Sequence, residues 1–174
     1  VSLIQGRTAG NIAIAGTGVA VLVASGILVP RTVPLEVSPH KALPQLLQQE
    51  GAVLETTEWN AFSRVDVVDS TSLHQAPGLS FSYSGVIPPQ RAVTVDADNA
   101  TTITMSREDE AVFTEYLPIA AAFEIVSSPS VLIVEPGGGL DILAALHHGA
   151  RRIVALSSQP IVADLLRDQF RSEV

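Results

Sequence analysis

"VLIVEPGGGLDILAALHHGARRIVALSSQP", residues 131–160, decides how this chain is read. It opens on a continuous apolar run rich in β-branched residues, as a strand buried on both faces of a parallel sheet requires. Gly137, Gly138 and Gly139 follow, and consecutive glycines let the chain turn sharply while backbone N–H groups approach a ligand with no Cβ in the way. "LDILAALHHG" then reads as a helix ending at Gly149, "RRIVALSS" as a second buried strand, and "PIVADLLRDQF" as a further helix with Pro160 in its first turn. Strand, glycine turn, helix and strand in this order form the unit that presents main-chain amides to a nucleotide-type ligand. Glu135, at the strand end, is placed to accept hydrogen bonds from a ligand's hydroxyl or amino groups. The second strand runs out into Ser157, where such a unit normally sets a carboxylate for a ribose diol. A serine offers one neutral hydrogen bond in its stead, a loss of about 1 to 3 kcal/mol.

Upstream, the acidic cluster Glu108, Asp109, Glu110 reads as a helix start, with Ser106 and Asp109 in a capping-box-like spacing. "REDEAVFTEYLPIAAAFEI" is the expected helix, kinked or divided at Pro118. Between about residues 51 and 104 the pattern predicts strands in "AVLETTEW", "SRVDVVDS", "LSFSYSG" and "RAVTVDAD", separated by the turn chemistry of "HQAPG", "GVIPPQ" and "DADNA". A small antiparallel β-rich unit follows from them. "SPHKALPQLLQQEGA" predicts a short junction helix that begins after Ser38 and stops at Gly51. Arg64 and Asp66 are expected to form a strand-surface pair of small energetic weight, Trp59 to pack within the β unit, and His147 and His148 to lie in a solvated C-terminal helical turn.

The chain is 47% hydrophobic, and the excess lies near its start. No charged side chain stands between Arg7 and Arg31, and that run is long enough for a helix across a hydrocarbon core of about 30 Å. The expectation is therefore an N-terminal membrane helix within residues 1–30, against a buried core helix or a cleavable signal. Arg31 and Lys41 after the run favour a cytoplasmic C-terminal side. Gly16 and Ala20, four apart, give only a weak signal for a homo-oligomer. Of the formal charge of −8, Arg7 contributes +1, so residues 31–174 carry −9. Such a surface lacks the clustered Lys and Arg that nucleic-acid binding needs. The sequence has no cysteine, which removes disulfides, thiolate metal sites and thiol nucleophiles. There is also no G-x-S-x-G elbow to support a hydrolase.

"DEAVFTEYLPIAAAFEIVSSPSVLIVEPGGGLDILAAL", with "WNAFSRVDVVDS" and "VTVDADNATTIT" before it, resembles the spermidine synthase-like family, of the S-adenosylmethionine-dependent methyltransferase type and membrane-fused bacterial kind. The resemblance covers roughly residues 38–174. It implies an α/β fold with a junction helix and small β-rich domain over 31–104 and a partial Rossmann-like parallel sheet over 105–174, truncated as in a piece of a longer protein. The implied activity is transfer of an aminopropyl (or methyl) group from decarboxylated S-adenosylmethionine, or S-adenosylmethionine, to an amine acceptor, with no metal. Gly137, Gly138, Gly139 and Asp141 match the family's glycine-rich cofactor motif, with Leu140 inserted before the acid. Its ribose acid aligns with Ser157, its "YHE" with Phe113, Thr114 and Glu115, and a glutamine following Asp96 with Ala100. Glu115 is thus the implied acceptor-side residue, while the family's catalytic aspartate would lie beyond Val174. These departures leave a second expectation open, a non-catalytic ligand-sensing or scaffold domain that keeps the fold.

Overall fold

A computed structural model describes residues 14–26 and 36–171, which divide into two units at Val37 and Ser38. In the first unit residues 14–26 form a helix, α1, with every residue exposed. At 1.5 Å per residue it spans about 20 Å, against about 30 Å of bilayer hydrocarbon. No helix among the described residues is long and apolar enough to cross a membrane. The expected transmembrane helix, and the membrane location with a cytoplasmic C-terminal side that hung on it, are therefore corrected. Residues 1–13 and 27–35, the rest of that apolar run, lie outside the described residues.

The second unit begins with a short helix α2 (Ala42–Leu46). Four strands follow, β1 (Val53–Trp59), β2 (Arg64–Asp69), β3 (Gln90–Val95) and β4 (Asp98–Thr104). They form one antiparallel sheet in sequence order. The β3–β4 hairpin turns at Asp96 and Ala97, both at positive φ, +54° and +60°, the backbone of a tight turn that matches strand twist. The expected strand in "LSFSYSG" is absent: residues 79–85 are turns and irregular chain, with Phe81 fully exposed. Only Tyr83 of its aromatic pair packs, its ring 5.0 Å from that of Tyr116.

Two 3-10 turns (Glu108–Glu110 and Val112–Tyr116) and a helix α3 (Ala120–Ile125) replace the long helix expected over 107–125. The Ser106 hydroxyl donates to the Arg107 carbonyl and caps nothing. The Thr114 hydroxyl donates to the Ala111 carbonyl at 2.7 Å. Pro118 cannot donate to residue 114, and its ring would collide with that carbonyl in a continuous helix.

Strand β5 (Ser130–Val134), helix α4 (Leu140–His147) and strand β6 (Arg152–Leu156) then form a parallel β–α–β unit, with β5 and β6 as a separate two-stranded sheet. The end of α4 is a Schellman cap: Gly149 at φ +69° donates to Leu146 and Ala150 donates to Ala145, both at 2.9 Å. Helix α5 (Pro160–Gln169) completes the unit with Pro160 in its first turn. The fold is thus mixed α/β, mainly antiparallel in its strands, with one small parallel pair where the first part of a Rossmann-like parallel sheet was expected.

One core joins these layers. Val65, Val67, Val93 and Ile103 of the four-stranded sheet pack with Phe113, Leu117, Ile133, Leu143, Leu166 and Phe170. Burial of side chains of this size contributes about 1.5 to 3 kcal/mol each. On the opposite face of the sheet, α2 contacts β3 and β4 and buries Leu43 and Leu46. On the inner strand β2, Asp66 is fully buried, and its Oδ1 meets Arg64 Nη2 at 2.6 Å and Thr57 Oγ1 at 2.6 Å. The surface pair expected from alternation is in fact a buried one.

Candidate functional site

Ladder geometry carries the chain from β5 into the glycine turn, because Glu135 N–H donates to the Leu156 carbonyl at 2.7 Å and extends the parallel pairing by one residue. Glu135 then takes φ +53°, followed by Gly137 at +53° and Gly139 at +83°. Gly139 N–H donates to the Pro136 carbonyl at 2.8 Å, closing the turn, and the Gly139 carbonyl accepts from Leu143 at 2.9 Å, opening α4.

The glycines face protein. A Cβ on Gly138 would lie 2.1 Å from the backbone oxygen of Thr102 in β4. One on Gly139 would lie 2.7 Å from Leu166 Cδ2 and 2.8 Å from Phe170 Cε2, and one on Gly137 would lie 3.1 Å from Thr101 Cγ2. The turn is wedged between the antiparallel sheet and α5, and close approach of backbone to backbone is what forbids a side chain at Gly138. Thr101 and Thr102, the seat of the turn, escaped sequence reasoning. The β-branched run "ATTIT" was the available signal for a strand there.

Around the turn the polar groups are largely engaged. Glu135 is exposed, and its Oε1 accepts the Ser158 N–H at 2.9 Å. The Ser157 hydroxyl accepts from Gln159 N–H at 3.2 Å and donates to the Gln159 carbonyl at 3.3 Å. Buried Gln159 in turn donates from Nε2 to Ser63 Oγ and accepts from Asn60 Nδ2 at 2.5 Å. Asn60 Oδ1 also accepts the Phe62 and Ser63 N–H groups at 3.0 and 2.8 Å. The loop after β6 is therefore tied to the β1–β2 turn, a network the sequence hinted at only through an asparagine in "WNAFS". Asp141 is exposed in the first turn of α4 and makes no hydrogen bond or ion pair among the described residues.

Beside the turn lies a cavity of about 230 Å³. Pro136 and Ser157 line it along with apolar walls from Ile142, Ile153, Leu166 and Phe170. Arg167 is the one charged residue among its lining, and it pairs with Asp164. The volume is somewhat below the roughly 300 to 1,000 Å³ of drug-sized ligand pockets, enough for a ring system with its substituents outside.

Glu115 does not join this constellation. Its Oε1 meets His147 Nε2 at 3.0 Å, while His147 Nδ1 faces the Glu108 carbonyl at 2.6 Å. His147 closes α4 and Asp141 opens it, so Glu115 sits about 9 Å along the helix axis from the glycine end. The two histidines are not a solvated turn: the His147 side chain is only 13% exposed, and the His148 ring stacks on Phe123 at 4.8 Å. Thr114 and Phe113 are fully buried, Ala100 is exposed on β4, and Asp96 Oδ1 accepts the Arg64 N–H at 3.0 Å. Trp59, expected to pack, is 59% exposed beneath the Arg64 guanidinium. No group of three His, Asp or Glu side chains among the described residues could hold a metal ion. Compared with known proteins, the chain matches no family model, no curated protein and no solved structure.

Proposed function

We propose that the second unit binds an S-adenosylmethionine-type nucleoside beside the glycine turn, as a spermidine synthase-like transferase domain that passes an aminopropyl or methyl group to an amine. The observation that carries this reading is the largely apolar cavity between α4, β6 and α5, bordered beside the glycine turn by Pro136 after β5 and Ser157 after β6, near the strand ends where ligands of β–α–β units bind. A purine ring in the cavity would rest against Ile142, Ile153 and Phe170. Asp141, unpaired on α4, would face the charged end of the ligand. In the transfer itself the acceptor nitrogen forms a bond to the carbon beside the sulfonium, the carbon–sulfur bond breaks, and the thioether nucleoside leaves as the amine sheds a proton.

A second reading, a ligand-sensing or scaffold domain without chemistry, is favoured by one specific observation. The side chains aligned with ribose-binding and acceptor-side roles are already used within the protein, Ser157 on Gln159 and Glu115 on His147. Titration calorimetry with S-adenosylmethionine, decarboxylated S-adenosylmethionine and methylthioadenosine tests both. Binding of at least one is expected, and its loss in Ala163→Trp, which fills the cavity, would place it there. Failure of all three to bind removes the nucleoside reading and leaves the scaffold. Binding without turnover of any amine leaves the sensing domain.

A further inference from the structure

The nucleoside reading, on which this inference rests, leaves the sugar without a charged anchor at Ser157, whose hydroxyl directs its single donor and one acceptor site at Gln159. Glu135 is built differently. It is a side-chain-bearing residue held at φ +53°, a left-handed conformation disfavoured for all but glycine and, less strongly, Asn and Asp. Strain of this kind persists only where surrounding structure imposes it. Here the Glu135 N–H on Leu156 and the Glu135 carboxylate on Ser158 N–H hold the residue from both ends.

The result is a carboxylate that starts on β5 and reaches across to the end of β6, whose last residue, Leu156, is the register partner of Val134. That is the position from which nucleoside-binding β–α–β units offer an acid to the ribose hydroxyls. Only Oε1 is engaged. Oε2 has no hydrogen-bond or ion-pair partner among the described residues, and the side chain is exposed. Glu135 is not itself a lining residue of the cavity, but Pro136, its chain neighbour, and Ser157, neighbour of the Ser158 that it holds, both are.

We infer that Glu135 supplies from the first strand the diol-binding carboxylate that the second strand lacks, and so restricts the site to ribonucleosides with free 2′- and 3′-hydroxyls. The Ser158 N–H orients the carboxylate, and Oε2 accepts from the sugar. A hydrogen bond to a charged acceptor is roughly twice as strong as one between neutral groups, so the diol becomes a discriminator beside an otherwise apolar cavity.

Methylthioadenosine and its 2′,3′-dideoxy counterpart, titrated calorimetrically into wild-type protein and Glu135→Gln, test this. The glutamine carbonyl keeps the acceptor for Ser158 N–H, and an unchanged thermal midpoint would verify that the loop is intact. In the wild type, removing both hydroxyls is expected to weaken binding by about 10- to 100-fold. In Glu135→Gln the same removal is expected to matter less than about threefold, with the loss already present in the parent nucleoside. Equal affinity of the two nucleosides for the wild type, or an undiminished preference in Glu135→Gln, overturns the assignment of Glu135 while leaving nucleoside binding in place. Absence of methylthioadenosine binding to the wild type overturns the underlying reading and this one with it.

Discussion

Replacing Gly138 with alanine separates a glycine kept for the protein's own packing from one kept for a ligand. Its Cβ would be 2.1 Å from the Thr102 oxygen, whereas carbon and carbonyl oxygen ordinarily come no closer than about 3.3 Å. More than an ångström of retreat is needed, and the obstacle is backbone. Thr102 is paired with Ala92 in the middle of the β3–β4 ladder, so its carbonyl cannot swing aside without breaking sheet pairing. Overpacking costs about 1 to 3 kcal/mol and occasionally more, and a backbone obstacle argues for about 3 kcal/mol. For a unit of roughly 140 residues the unfolding entropy near the midpoint is about 0.3 kcal/mol/K, which makes the expected fall in Tm about 10 °C. Gly149→Ala is the control: a Cβ there meets nothing within 4 Å, and only its φ of +69° is unfavourable. That conformation costs about 1 kcal/mol, or a fall of about 3 °C. Thermal melts followed by circular dichroism, with no ligand present, give both numbers. Should Gly138→Ala melt no lower than Gly149→Ala, the turn is not seated on β4 as described.

Three further outcomes follow from the same contacts. Asp66→Ala strips the fully buried acceptor from Arg64 and Thr57, and is expected to destabilise by about 3 kcal/mol because it leaves a largely buried guanidinium unpaired; urea unfolding measures it. Asn60→Ala removes the acceptor of the Phe62 and Ser63 amides together with the donor to Gln159, a loss of about 2 kcal/mol, and faster hydrogen exchange at Ser63 would locate the effect. Leu132→Lys with Val134→Lys changes an apolar face of the parallel pair that is 63% and 66% exposed; stability should shift by less than about 1 kcal/mol, while light scattering at high concentration should fall.

How much of this was legible depended on whether a pattern was local. The β–α–β unit could be read because its signals are continuous: an apolar run, a helix closed by Gly149, a second run, and a proline opening α5. Strand β4 was obscured by the turn residues "DADNA", since the Asp96–Ala97 turn takes only the first two of them and Asp98, Asn99 and Ala100 already lie in the strand. "LSFSYSG" alternates as a strand does, yet Phe81 has no layer to meet, and alternation without a partner face is no strand at all. The apolar stretch at 8–30 is longer than the helix described within it at residues 14–26, and no helix among the described residues is long and apolar enough to cross a membrane. Asp66 was misjudged for a related reason. Polar alternation marks a solvated face only when nothing covers it, and Asp66, on an inner strand between Thr57 and Thr94, is fully buried.

The glycine turn shows the same limit at the site. A glycine records that a Cβ is excluded, but the letter carries no information on what excludes it, and ligand and protein backbone are equally effective. At Gly138 and Gly139 the excluding atoms belong to Thr102, Leu166 and Phe170. What could still meet a ligand is therefore not the part that looked most like a motif. It is the cavity next to the turn with two exposed carboxylates, Asp141 on α4 and Glu135, whose side chain reaches across to the Ser158 N–H of the neighbouring strand's loop. Glu135 has one carboxylate oxygen held by the Ser158 N–H and the other open, and the diol titration bears directly on it.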